Sequence, residues 1–187
     1  GWRRAAVLVG IGGGSVLSVV AVLTYTGAPP MPDKAVDAAG SVVFTETDVQ
    51  KGQEVFFKYG LMEHGTLWGH GAYLGPDYSA EYLHRLSEVT RDTMAVEKYG
   101  RPFAQLAQDE QIVAAAQRRR ILEENRYQAA TRTLLLTPGE VAAFRSQTAE
   151  WSAYFTKKSA APGLPAGYIK NPTELKALSA FFAWAAW

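Results

Sequence analysis

The amino-acid sequence predicts a mainly α protein: a transmembrane helix, then a small helical domain with a short β-hairpin, then the start of a second transmembrane helix. Three observations predict this order. Residues Ala5 to Tyr25 carry no charged side chain. The segments after them place apolar residues at helical spacing between capping residues. The chain then reaches a run from Leu178 to Trp187 that is apolar and rich in aromatic side chains.

The first apolar segment is long enough to cross a membrane. About 21 residues without charge span ~30 Å of hydrocarbon as a helix. Arg3 and Arg4 precede this segment, and such basic residues remain on the cytoplasmic side. We therefore assign residues 1–27 to a transmembrane helix in contact with lipid, with a cytoplasmic N-terminus. A cleaved signal peptide is the alternative, but its apolar core is shorter and no A-x-A site precedes Gly27.

The second apolar run predicts the first half of another transmembrane helix. Either Asn171 or Thr173 can cap it, so we place the boundaries at 28–172 for the domain and 173–187 for the helix. An apolar run of about ten residues is too short to cross a bilayer. We therefore expect the sequence to be a fragment of a longer membrane protein.

The segment between the two apolar runs predicts four helices and one hairpin. Helical spacing places Val49, Gly52, Phe56 and Tyr59 near one helix face. The first predicted helix is capped by Thr45 with Asp48, or by Thr47 alone, and runs to Tyr59; the second runs from Asp77 or Ser79 to Gly100, and the third from Asp109 to Asn125. A hairpin is predicted within 125–137. The fourth helix begins at the capping box Thr137–Glu140, and its inward-facing residues are Val141, Phe144, Trp151, Tyr154 and Phe155.

Composition excludes several classes of function. The formal net charge is +1, so the chain is not a polybasic nucleic-acid binder, and we expect no nucleic-acid partner. The sequence contains no cysteine. This excludes disulfides, thiolate zinc sites, iron–sulfur clusters and covalently attached c-type haem.

All three histidines, His64, His70 and His84, lie within a stretch of the sequence that is also rich in glycine and tyrosine. Their spacing matches no familiar zinc pattern, so surface or hydrogen-bonded histidines are favoured over metal ligands. A triad of Ser79, His84 and Asp92 can be written down, but no nucleophile elbow supports it.

The glycine-rich loop in this stretch has little side-chain bulk at Gly69, Gly71 and Gly75, so its backbone can lie close to a flat or charged group. A glycine carbonyl and a tyrosine oxygen two residues apart can both reach a hard cation, because calcium takes oxygen ligands. A tight structural turn is the simpler interpretation. Likewise, Arg118 to Arg120 can meet anionic headgroups or form a solvated helix face, and the solvated face is favoured.

The stretch GQEVFFKYGLMEHGTLWGHGAYLGPDYSAEYLHR, residues 52–85, closely resembles the N-terminal region of bacterial quinol-dependent nitric oxide reductase. The resemblance implies a first membrane helix, then a periplasmic domain with a cytochrome c-like fold that has lost its haem, in the bacterial cytoplasmic membrane. Gly52-x-x-x-Phe56 looks like the glycine–aromatic contact on the first helix of cytochrome c folds. Gly60 to His64 stands about where the haem-bearing relatives have C-x-x-C-H.

The resemblance also implies a function. The family reduces two nitric oxide molecules to nitrous oxide with electrons from quinol, using haem b, a high-spin haem b3 and non-haem iron. The ligands of these groups would lie on membrane helices beyond Trp187, so we expect no catalytic residue within 1–187. This segment would cap the outer face of that bundle. By resemblance, Gly71 and Tyr73 correspond to calcium ligands near the haem propionates, although His70 stands where relatives have glutamate.

Two other functions remain open at the level of sequence. One is a non-enzymatic, membrane-anchored periplasmic sensor or assembly domain that has kept a cytochrome c-like shape. The other is a secreted hydrolase, which would need signal cleavage near Gly27 and activity that depends on Ser79 or His84. The sequence also leaves open whether the protein forms a homodimer.

Overall fold

The computed structural model describes residues 1–27, 30–157 and 164–187. The chain divides into two compact units, Gly1–Met31 and Pro32–Trp187. The predicted mainly α class is confirmed. The helices are α1 (Trp2–Thr26), α2 (Glu46–Lys58), α3 (Tyr78–Tyr99), α4 (Gln108–Glu123), α5 (Pro138–Thr156) and α6 (Pro172–Ala186), and the strands are β1 (Lys34–Val36), β2 (Val42–Thr45), β3 (Thr66–Leu67), β4 (His70–Gly71), β5 (Tyr127–Gln128) and β6 (Thr133–Leu135).

The first unit is a single 25-residue helix, α1, and no residue of this helix is buried. Among the described residues it is the one helix long and apolar enough to cross a membrane. Three of its hydroxyl groups bond within the helix: those of Ser18, Thr24 and Thr26 donate to carbonyls one turn earlier, at 2.8–2.9 Å. A helix in hydrocarbon must satisfy its polar groups in this way. The direction in which α1 crosses the membrane stays a prediction.

Local capping signals fix the starts of the helices in the second unit. Thr45 and Asp48 form the capping box of α2, with the Asp48 N–H donating to Thr45 Oγ1 at 3.2 Å, so the first of the two predicted caps is confirmed. Thr137 and Glu140 form the predicted box at the start of α5. Three further predicted caps are confirmed. Asp77 is the N-cap of α3, Gly100 ends that helix in a left-handed conformation, and Asn171 is the N-cap of α6.

The predicted hairpin is part of a larger sheet. Strands β5 and β6 pair antiparallel within the predicted range, and the full strand order is β2-β1-β6-β5, with β1 and β6 parallel. The sequence analysis missed β1 and β2 because strands of three and four residues are too short to display an alternating pattern. The sheet contacts the helical core through Phe44, whose ring lies 5.3 Å from that of Phe144.

The centre of the second unit is the crossing of α2 over α6. Gly52 lies so close to α6 that a β-carbon there would overlap the Ala177 carbonyl oxygen and lie 2.6 Å from Phe181 Cβ. One turn later the Phe56 ring lies 5.5 Å from Phe181 and 6.2 Å from Phe182. The glycine–aromatic contact inferred by resemblance is therefore present. Its physical basis is the absence of a side chain at Gly52, which lets the two backbones approach.

The apolar run that predicts a second membrane helix is built into the domain as α6. Seven of its residues, Leu175 and Ala177–Phe182, are buried, and they pack against α2, α3 and α5. This packing accounts for the apolar composition of the first two-thirds of the helix. A membrane span that starts at residue 173 stays a prediction.

Gly52→Val is expected to lower the free energy of unfolding by about 2–4 kcal/mol, because overpacking a filled contact costs roughly 1–3 kcal/mol or more and the Ala177 backbone cannot rotate away. Chemical denaturation of the purified chain in detergent measures the change. Gln53→Ala, at an exposed position on the same helix, is the control and should change stability by at most about 0.5 kcal/mol. Equal stability of Gly52→Val and wild type would contradict the close approach of α2 and α6.

Candidate functional site

The loop between α2 and α3, residues 60–77, folds back on itself. Gly60 adopts a left-handed conformation (φ 58°) that ends α2 and leads into a 3-10 turn at Leu61–Glu63. The Ala72 N–H donates to the Met62 carbonyl at 2.7 Å, and the Thr66 N–H donates to the Pro76 carbonyl at 3.0 Å. Strands β3 and β4 pair within the loop, which the sequence analysis treated as irregular. The loop is therefore a defined structure on which side chains can be positioned.

Asp77 holds this loop to the start of α3. Its Oδ2 accepts hydrogen bonds from the Gly69 N–H at 2.6 Å and the Thr66 hydroxyl at 2.8 Å. Its Oδ1 accepts bonds from the Ser79 hydroxyl at 2.6 Å and the Ala80 N–H at 2.8 Å. Burial disfavours the charged carboxylate, but these four bonds outweigh it and lower the pKa of Asp77 to about 2. The sequence predicted only the capping role, because the other contacts depend on how the loop folds.

Trp68 lies at the tip of the loop in an unusual backbone conformation. Its φ is 52°, in the left-handed region that a bulky residue rarely adopts. Its N–H donates to Ser79 Oγ at 3.0 Å, and its indole Nε1–H donates to the Ala185 carbonyl near the end of α6 at 2.7 Å. The ring packs edge-on against Trp184, at 6.1 Å between centroids. Strain at a half-exposed aromatic residue is a feature of functional sites.

The structure places Gly71 and Tyr73 in the same loop. Gly71 has a φ of 136°, and a β-carbon there would overlap the Gly65 carbonyl oxygen, so the position requires glycine. Tyr73 is 85% exposed, and its hydroxyl donates a long hydrogen bond of 3.4 Å to the Gly69 carbonyl. Tyr73 therefore presents a nearly free hydroxyl at the surface. His70, which departs from the pattern of the relatives, is also exposed.

The three histidines occupy surface or hydrogen-bonded positions, as predicted. His64 Nε2 lies 3.4 Å from the Tyr168 hydroxyl, which itself donates to the Tyr59 carbonyl at 2.8 Å. The exposed His84 pairs with Glu88 at 3.6 Å, one turn along α3. Within residues 1–27, 30–157 and 164–187, no group of three or more His, Asp or Glu side chains is arranged to hold a metal ion.

The triad of Ser79, His84 and Asp92, which the sequence did not favour, has no support in the structure either. The Ser79 hydroxyl donates to Asp77 rather than to His84, and Asp92 lies 3.4 Å from the neighbouring Arg91. The hydrolase hypothesis therefore has no structural support at these residues. In the arginine run, Arg119 and Arg120 are exposed, as the solvated-face interpretation predicts, whereas Arg118 is half-buried.

Aromatic side chains fill the centre of the domain. The ring of Tyr78, on the first turn of α3, stacks on Phe182 with centroids 4.9 Å apart and an interplanar angle of 4°. Trp151 and Phe56 approach the same ring at 5.7 and 5.9 Å. Burial raises the pKa of the Tyr78 hydroxyl well above its ordinary value. The sequence analysis missed Tyr78, although its position directly after the Asp77 cap was a usable signal, because a residue at a helix start often faces the core.

Comparison with known proteins identifies one family. The family model of the NorB cytochrome c-like domain of nitric oxide reductase matches residues 32–187. The matched range includes the whole second unit, with the loop, the aromatic centre and α6. No curated protein matches the sequence.

Asp77→Ala is expected to lower the free energy of unfolding by about 2–4 kcal/mol at pH 7, because it removes an N-cap and several hydrogen bonds to a charged acceptor. The folded-state pKa of about 2 is below the unfolded value of about 3.9. Ionisation of Asp77 thus stabilises the fold above pH ~4, and this contribution is lost as the pH falls toward 2.

Unfolding curves of wild type and Asp77→Ala, measured between pH 7 and pH 2, test this expectation. The difference in stability should shrink across the acidic range. Asp109→Ala, in the exposed first turn of α4, is the control and should change stability by at most about 1 kcal/mol. A difference that stays constant down to pH 2 would rule out a stabilising Asp77 charge.

Proposed function

The chain belongs to the NorB family of nitric oxide reductases, and from this we propose that it is the N-terminal part of a membrane-bound, quinol-dependent nitric oxide reductase. Family membership makes it part of a haem-containing membrane oxidoreductase. In the proposed arrangement, α1 crosses the bacterial cytoplasmic membrane from a cytoplasmic N-terminus, and the second unit lies in the periplasm. Arg3 and Arg4 in the first turn of α1 support this orientation.

The proposed reaction takes two electrons and two protons from one quinol. Two nitric oxide molecules then give one nitrous oxide and one water, and the quinol becomes quinone. In the complete enzyme, haem b, high-spin haem b3 and non-haem iron supply the redox chemistry. The resemblance to this family implies that the ligands of these groups lie on membrane helices beyond Trp187, and we expect them there.

The observation that carries the quinol assignment is the interior of the domain. The sequence has no cysteine for covalent haem attachment. The centre of the domain holds the stacked rings of Tyr78 and Phe182, with Phe56 and Trp151 packed against them. A domain built in this way keeps a cytochrome c-like framework without the haem that carries electrons. This supports electron delivery from quinol within the membrane rather than through this domain.

The proposed role of the domain is to cap the outer face of the catalytic bundle through a surface that we call the loop face, formed by Met62, Trp68 and Tyr73. All three side chains are exposed, Trp68 by 54% and Tyr73 by 85%. Exposed Trp, Tyr and Met are the residues most enriched at protein interfaces. Capping would exclude bulk water, and a sealed site of low dielectric strengthens the electrostatic interactions inside it.

The same loop, residues 60–77, also carries the proposed calcium contribution. The Gly71 carbonyl and the Tyr73 hydroxyl are uncharged oxygens of the type that calcium accepts. Because calcium takes six to eight oxygen ligands, these two groups can provide only part of a coordination shell. Other oxygen ligands would complete the shell, and haem propionates are the proposed source of carboxylates. The exposure of Tyr73 leaves its hydroxyl accessible to such a partner.

Nitric oxide consumption by the complete enzyme tests the function. Membranes that contain the full-length protein should consume nitric oxide with a soluble quinol as donor, and reduced cytochrome c should support at most about a tenth of that rate. Trp68→Gly should lower the quinol-driven rate at least about tenfold. The fold should tolerate it, because glycine adopts a positive φ without strain, which offsets the lost contact with Trp184 and the lost hydrogen bond from Trp68 Nε1–H to the Ala185 carbonyl.

Ile112→Ala, at an exposed position on α4, is the control for Trp68→Gly and should retain the wild-type rate. Equal or faster turnover with cytochrome c would overturn the quinol assignment. Unchanged turnover in Trp68→Gly would overturn the capping role of the loop face and leave the donor assignment intact.

Tyr73→Phe is expected to lower the calcium content of the complete enzyme, because the change removes one oxygen ligand and only a 3.4 Å hydrogen bond within the domain. Elemental analysis should find calcium reduced at least about twofold per haem after gel filtration in the absence of added calcium. The melting temperature should stay within about 1 °C of wild type, since surface changes of this kind are nearly neutral. Tyr99→Phe is the control. Wild-type calcium content in Tyr73→Phe would exclude Tyr73 as a ligand.

A further inference from the structure

A small cavity that the loop face does not include lies between the sheet and the helices α3, α5 and α6. Its volume is about 30 Å³, and a single water molecule needs roughly 10–15 Å³. The cavity therefore has room for a molecule of about two heavy atoms. Close-packed protein interiors contain few voids larger than one water molecule, so a cavity of this size needs an explanation.

The inner wall of this cavity is apolar and belongs to the hydrophobic core. Phe44 of β2, Leu134 of β6 and Phe144 of α5 line it, and each is at most 5% exposed. The rings of Phe44 and Phe144 lie 5.3 Å apart, so the packing of the sheet against α5 holds this wall in place. A ligand here meets carbon atoms and gains dispersion contacts with them.

Four further lining residues reach the surface of the domain. Leu86 of α3, Leu136 and Ala183 of α6 are half-buried, and Trp187 is 40% exposed. The cavity is therefore partly open to solvent. A small molecule can enter it and touch the apolar wall without unfolding the core, and it needs no contact with an enclosed polar atom.

Two lining residues, Tyr82 and Glu140, carry side-chain oxygen atoms, and neither offers a free charge. Glu140 Oε1 accepts from Arg126 at 2.6 Å, and this guanidinium balances the charge of the carboxylate. Glu140 Oε2 accepts from the N–H and the hydroxyl of Thr137 at 2.7 and 2.9 Å. Burial raises the pKa of the Tyr82 hydroxyl well above its ordinary value, so this group is uncharged at neutral pH. A charged ligand would lose its hydration here without gaining a free ionic partner, and the cavity therefore favours an uncharged one.

We propose that this cavity binds a small, uncharged gas molecule of about two heavy atoms, the class to which nitric oxide belongs. Dispersion contacts with the apolar wall hold such a molecule. Water competes poorly, because a buried water molecule needs about two to four polar partners. The size and polarity of the ligand follow from the cavity alone, whereas the choice of nitric oxide rests on the proposed function. The domain would then hold a small store of the substrate of the enzyme.

The test uses xenon as the probe, because apolar protein cavities bind this uncharged atom, and crystals of the full chain under xenon pressure. A peak of anomalous scattering is expected between the side chains of Phe44, Leu134 and Phe144. Ala183→Leu fills the cavity and should lower the xenon occupancy at least about tenfold, since a filled site leaves no volume for the atom. Leu86→Phe fills the cavity from a different helix and should lower the occupancy at least about threefold.

Ala186→Leu is the matched control and should keep the wild-type occupancy, because Ala186 is half-buried on the same helix as Ala183 but does not line the cavity. Leu86→Phe keeps the test valid where Ala183→Leu disturbs the packing of α6. The absence of a xenon peak in wild type, or wild-type occupancy in either filling variant, would overturn the proposal and leave the proposed function intact.

Competition with xenon tests nitric oxide itself. Nitric oxide, added in the absence of oxygen, should lower the xenon occupancy at least about twofold, because the two ligands exclude each other by mass action. Unchanged xenon occupancy would overturn the assignment of a diatomic ligand. Nitric oxide consumption by the full-length protein tests the proposed function separately, so the failure of one proposal is distinguishable from the failure of the other.

Discussion

The domain depends on the close approach of α2 and α6 at Gly52. Because Gly52 has no side chain, the backbone of α2 lies against Ala177, and Phe56 then reaches both Phe181 and Phe182. The ends of the two helices are joined by polar contacts, since Glu174 accepts from Lys58 Nζ at 2.6 Å and from the Tyr59 hydroxyl at 2.9 Å. Any side chain at position 52 would separate these helices and open the aromatic centre.

The crossing of α2 over α6 determines the position of the glycine-rich loop. It leaves α2 at Gly60 and enters α3 at Asp77, so both of its ends are fixed by helices of the core. Its tip is held by bonds to opposite sides: Asp77 accepts from Gly69 N–H, and Ala185 on α6 accepts from Trp68 Nε1–H. These bonds sustain the left-handed conformation of Trp68, which costs energy on its own. The tip of the loop is therefore bonded to both α3 and α6.

The interior explains how a cytochrome c-like framework can persist in a chain without cysteine. Rings of Tyr78, Phe182, Trp151 and Phe56 pack against one another at the centre, and such rings bury large apolar areas. The aromatic centre thus gives the domain a core of its own. The role proposed for the domain, which is to cover the outer face of the enzyme rather than to carry electrons, requires no haem within this core.

The sequence alone determined the features that depend on near neighbours. These features involve residues only a few positions apart: the N-caps at Thr45, Asp77 and Thr137, the glycines that end helices, and the β5–β6 hairpin. The lack of cysteine follows from the composition. Only the tertiary structure decided the features that join distant segments. The parallel pairing of β1 with β6, the burial of α6, the bond from Trp68 to Ala185 and the bond from Gln147 to the Tyr82 carbonyl all join segments that lie far apart in the chain. Local patterns carry no information about such contacts, because each apolar or polar side chain has many possible distant partners and the packing of the whole core selects one.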